Sequence, residues 1–405
     1  MQLGWVDYSR QERDTIKELL KMLGEASSLD ELGVGIVRDS ISDLLYPGTS
    51  VLHTRAKYYI LIPALFQKAG ESGLTTRTEI RRFIDSEQDK IARALRRVID
   101  VNTGTKEAGI IGGRSDRAVK MKPTRIYWNG LRTTGILCNP GLSYDDACSA
   151  VASYNKKKQN IEIKSESEDE SGDSSDASKG DFILFNTPYL QSIDDYCMDP
   201  TLYMTREESE YLREQFLHVP IMKNTLMEYC LKTKTSLKDT SFTEITTMDG
   251  MSELLGYHIE LAKEFASFIY GAYLVYNIVF FENGGENATE TEKEFLEEKY
   301  LHWKENTPGL PHREEILKLV RNHEHYKASL RDFLIQFEKA VQDNHTETCS
   351  EKERELIQAR ERFCKREKAK LGKNYPYQAI QTVPMSYRHG TGQMIIADIL
   401  EGMGK

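Results

Sequence analysis

The sequence predicts a mainly α-helical fold with a minor β component, built as two helical parts joined by an acidic linker. Three observations carry this. Capping boxes precede apolar residues at helical spacing. The segments 250–282, 290–305, 313–342 and 350–370 contain no proline. An acidic, serine-rich tract at 159–180 interrupts the globular pattern.

Ser9-Arg10-Gln11-Glu12 is a capping box, followed by Ile16, Leu19, Leu20 and Leu23 and a stop at Gly24. Asp30 to Leu45 forms a second amphipathic helix with Ile36, Ile41, Leu44 and Leu45 on its apolar face, broken by Pro47-Gly48-Thr49-Ser50. Tyr58 to Phe66 is almost continuously apolar and belongs in the core, as strand or helix. Thr75 to Ile99 is helical. Its stripe of Ile91, Ala94, Leu95 and Val98 leaves Lys90, Arg93, Arg96 and Arg97 on a wetter side. Asn102 to Gly113 is a glycine-rich loop, and Arg125 to Leu137 suggests a short β or mixed segment opening on Tyr127 and Trp128.

Between Glu162 and Ser178 stand seven acidic residues and six serines with no aromatic. Such a stretch buries too little apolar surface to offset its ordering entropy, so a disordered linker is expected. Its charge could also imitate a polyanion. The expected domains are 1–158, a linker at 159–180, and a helical part at 181–405. Beyond the linker, Phe182 to Phe185 suggests a short strand, and Thr205-Arg206-Glu207-Glu208 caps a helix through Tyr211, Leu212 and Phe216. Phe265 to Phe281 is apolar but shorter than the roughly 20 residues of a membrane span, so a buried core helix is expected and no membrane partner.

Of 405 residues, 39% are hydrophobic and 29% charged, which excludes a wholly disordered chain. Met1 to Val6 has no basic stretch before an apolar run, so no secretory leader is expected. The six cysteines (138, 148, 197, 230, 349 and 364) lack CxxC spacing. A reduced, cytoplasmic protein follows. The net charge of −9 conceals an asymmetry: residues 51–140 hold 17 Lys and Arg against 8 Asp and Glu. A local excess of +9 attracts polyanions whatever the distant charge, because salt screens beyond about 10 Å.

Enzyme motifs are sparse. His323-Glu324-His325 would point its imidazoles about 200° apart on a helix, so no metal site is expected there. Gly104, Gly109, Gly112 and Gly113 match neither phosphate-binding glycine motif. Asp39 and Asp43 share a helix face at i, i+4 and need a counter-charge such as Mg²⁺, Arg38 or Arg55. With Mg²⁺ they would be the minimum of a phosphodiester-cleaving nuclease. No other cofactor is implied.

The basic block carries the stronger signal. Arg93, Arg96 and Arg97 supply phosphate contacts from one helix, and Arg114, Arg117, Lys120 and Lys122 supply a second group. Tyr127 and Trp128 offer rings for stacking on bases, or fill the core. Arg55 and Lys57 face phosphates, or Arg55 ties the turn to Asp39 or Asp43.

Several strings resemble a bacterial family of unknown function (domain of unknown function 6361). They are Gly4-Trp5-Val6-Asp7-Tyr8-Ser9, Asp30-Glu31-Leu32-Gly33, Arg38-Asp39, Pro47-Gly48-Thr49-Ser50, Thr54-Arg55-Ala56-Lys57-Tyr58, Tyr127-Trp128 and Gly130-Leu131. The resemblance implies no activity, fold or catalytic residue. It does suggest a setting among prokaryotic defence genes. The expected function is therefore an accessory, non-catalytic nucleic-acid-binding protein, with DNA ahead of RNA, working with protein partners in antiviral defence. The alternatives are a metal-dependent nuclease using Asp39 and Asp43, and a protein-interaction scaffold.

Overall fold

A computed structural model describes residues 30–99, 109–112, 121–167, 183–188, 191–283, 290–306 and 309–404. Fourteen α-helices run through these residues. Among them the β structure amounts to one antiparallel bridge, Leu137 with Phe185. The mainly α expectation holds.

Two compact units divide the chain. One takes residues up to Ser42 with Gly256–Tyr387; the other takes Asp43–Leu255 with Arg388–Lys405. Neither division falls in the 159–180 tract, whose flanks both belong to the second unit. Residues 159–167 extend a helix, and 168–180 lie outside the described residues, as does the Ser9–Glu12 capping box. Composition marks where a chain prefers water, whereas units are set by which distant segments pack together.

Helix α1 (Gly35–Leu45) begins after Asp30 rather than at it. The Asp30 carboxylate accepts from the backbone N–H groups of Val34 (2.5 Å) and Gly35 (2.9 Å), two donors a helix start leaves unpaired. At the following turn Gly48 has φ +72, and a Cβ there would meet Thr133 at 2.7 Å, so glycine is required twice over.

In the second unit the apolar run becomes α2 (Tyr58–Glu71), with every residue from Tyr58 to Phe66 buried. It packs on α3 (Arg77–Ile99), α4 (Pro123–Thr133) and α5 (Tyr144–Ser167). The segment 125–137, expected as β or mixed, is helical up to Thr133, because Pro123 opens a helix at its first turn where a missing N–H costs nothing, and Leu137 then lies in the bridge to Phe185. Then come α6 (Ile193–Met198), α7 (Arg206–His218) and α8 (Leu226–Thr233). The predicted capping box at Thr205 and Glu208 is formed. The last helix, α14 (His389–Gly402), returns to pack on α7 and α8.

The first unit contains α9 (Glu253–Asn283) from Gly256 onward, α10 (Glu290–Asn306), α11 (Arg313–Lys318), α12 (Ser329–Asp343) and α13 (Glu351–Lys365). The proline-free segment 313–342 holds two helices rather than one, because Arg321 to Lys327 carries no aliphatic residue to keep a buried stripe going. Helix α9 is long and apolar enough to cross a membrane, yet 83% of its most apolar stretch is buried within the protein. Gly271 lets it meet α10 closely: a Cβ there would stand 2.0 Å from the Trp303 ring.

Candidate nucleic-acid interface

Helix α3 is two-faced. Ile80, Ile84, Ile91 and Leu95 are buried, while Arg82, Lys90, Arg93 and Arg97 are exposed. At about 100° per residue the four cations fall within an arc of about 80°, opposite the buried stripe. From Arg82 to Arg97 the rise is about 22 Å. Lys90 pairs with buried Glu87, and the Arg93 Nε donates to the Asp89 carbonyl at 3.1 Å. Arg96, expected on this face, is half-buried beside it.

The other predicted contacts are mostly structural. The Lys57 ammonium, 2% exposed, lies 2.6 and 2.7 Å from the two Glu208 oxygens, so it cannot face a phosphate. Arg55 is paired, but with Asp398 at 2.8 Å rather than with Asp39 or Asp43. Lys122 is buried at the start of α4 and pairs with Asp89. Tyr127 is fully buried; its hydroxyl accepts from the N–H groups of Thr54 and Arg55 and donates to the Arg55 carbonyl. Trp128 is 8% exposed, donates to the Leu142 carbonyl and packs on Phe66 and Tyr144. Neither ring offers a face to a base. Arg114, Arg117 and Lys120 lie outside the described residues.

The carboxylate pair is already engaged. Asp39 accepts from Arg38 at 3.0 Å and Asp43 from Arg388 at 2.6 Å. Burial lowers the Arg38 pKa, but the Asp39 contact outweighs it and the guanidinium is raised overall. Among the described residues no group of three His, Cys, Asp or Glu is placed to hold a metal.

A model of the Family of unknown function (DUF6361) matches residues 1–293. The chain belongs to that family. No curated protein and no solved structure compared with it matches.

Two features of this family member were missed from sequence. Arg82 extends the α3 face by just over two turns beyond Lys90, a signal present in its spacing from Arg93 and Arg97. The second is an open groove of about 680 Å³ in the same unit. Its floor and walls include Phe66, Gln67 and Glu71 of α2, Tyr154 and Lys158 of α5, and the extended segment 183–188. That segment is held by Cys138 N–H to Leu184 O (3.1 Å) and Asn186 N–H to Ile136 O (2.7 Å).

Proposed function

We propose that this chain is an accessory nucleic-acid-binding protein that meets the phosphate backbone through the outer face of α3. The observation that carries the reading is the line of exposed Arg82, Lys90, Arg93 and Arg97 on a helix anchored by its opposite side. Cations fixed on a rigid element lose little entropy on meeting phosphates, and the counterions they displace supply the affinity. DNA is the favoured polymer, with enzymatic protein partners and a cytoplasmic role in prokaryotic defence as the proposed setting. Nothing comparable favours the nuclease reading, since Asp39 and Asp43 have arginine partners.

Fluorescence anisotropy with DNA and RNA over a salt series tests this. Reversing Arg82, Arg93 and Arg97 to Glu should abolish binding at moderate salt. Neutralising them to Gln should flatten the log–log salt slope on duplex DNA by about 0.9 per lost contact. Equal affinity in wild type and the charge-reversed variant removes the proposal.

A further inference from the structure

We infer that the groove between α2, α5 and segment 183–188 seats an unpaired base of single-stranded nucleic acid, with its phosphates beside Lys157 and Lys158 of α5. This rests on the nucleic-acid reading above and names its preferred form. Helix α5 supplies the chemistry. Tyr154, Lys158 and Ile161 fall on one stripe at i, i+4, i+7, and Lys157 lies within about 60° of that stripe. Both lysines and Ile161 are exposed.

The remaining lining suits a flat apolar ring. Half-buried Phe185 and exposed Pro188 provide the apolar surface above buried Phe66 and Pro63, and Ile183 is 67% exposed at its edge. Gln67 and Asn186 offer amide donors and acceptors for a base edge. Glu71 stands on the α2 side, so an anionic backbone is directed to the α5 side, where Lys157 and Lys158 stand. A cationic rim beside a ring-lined trough is what single strands need. A duplex keeps its base faces stacked and cannot use the trough.

Three proteins distinguish the outcomes: wild type, Lys157→Gln with Lys158→Gln, and Phe185→Ala, each titrated with a short oligothymidylate and with a hairpin duplex. Both variants should weaken oligothymidylate binding about tenfold and leave duplex affinity within about twofold. The lysine pair should also flatten the single-strand salt slope by about 1.4. Because Phe185 packs on Phe66 and Trp128, its variant is compared by thermal melt, while the exposed lysine pair carries the test regardless of that result. If single-strand and duplex affinities fall together, or neither moves, the groove is no base seat. If reversing the α3 arginines still weakens binding in that case, the broader proposal stands. Failure of wild type to bind any polynucleotide removes both.

Discussion

Lys57 and Glu208 form a buried ion pair across 151 residues of sequence, with both carboxylate oxygens within 2.7 Å of the ammonium. Glu208 does a second job: it accepts from the Thr205 N–H at 2.9 Å and so caps α7. The pair fixes the start of α2 to the start of α7. Replacing Lys57 with Met leaves a carboxylate buried without its cation and should destabilise the protein by about 3–5 kcal/mol. Adding Glu208→Gln should recover part of that loss. Urea denaturation of Lys57→Met, Glu208→Gln and the double variant decides it; additive losses would show that the two side chains act independently.

Gly271→Ala gives a prediction of unusual sign. In an exposed helix this change stabilises by up to about 1 kcal/mol. Here the added methyl would collide with Trp303, whose indole N–H is held by the Ser267 carbonyl at 2.7 Å. A loss of about 1–3 kcal/mol is expected. A melting temperature at or above wild type would refute the packing described.

His53 should make the fold acid-sensitive. Burial lowers its pKa from the usual 6.5 to about 4, partly opposed by its bond to the Ile126 carbonyl. The ring lies 4.0 Å from that of Tyr127, stacked on it. A folded-state pKa below the unfolded one means stability is full above pH 6.5 and is lost as pH falls toward 4. The loss amounts to about 3 kcal/mol over that window. Burial also lowers the pKa of His389, which acts in the same direction. Stability measured at neutral and mildly acid pH should show this fall, and His53→Gln should make it shallower.

Asp398 ties the last helix to the segment before α2. It accepts from the Arg55 guanidinium and from the Ala56 N–H at 2.8 Å. Asp398→Ala takes the bound carboxylate from a largely buried arginine and should cost about 3 kcal/mol. Hydrogen exchange should quicken in α14 as well as around residues 55–57. Protection unchanged in α14 would show that its anchoring comes from elsewhere.

What the sequence revealed was local. The Thr205 capping box, the burial of Tyr58 to Phe66 and the α9 core helix all follow from patterns a few residues long. For Tyr127 and Trp128 the sequence left base stacking and core packing open, and Pro123 sets a helix on which both rings are buried. Arg55 was rightly expected to have a carboxylate partner, but Asp398 lies 343 residues away and no spacing rule reaches that far. The basic side of α3 was legible because it belongs to one helix. The groove was not, because three separate segments build it.

The second unit opens near Asp43 and closes only with Arg388–Lys405. During synthesis, therefore, Arg55 and the Ala56 amide must wait for more than 340 further residues to be made before Asp398 arrives. Stalled or prematurely stopped translation would strand an incomplete assembly with α7 and α8 uncovered, an obvious substrate for chaperones and proteases.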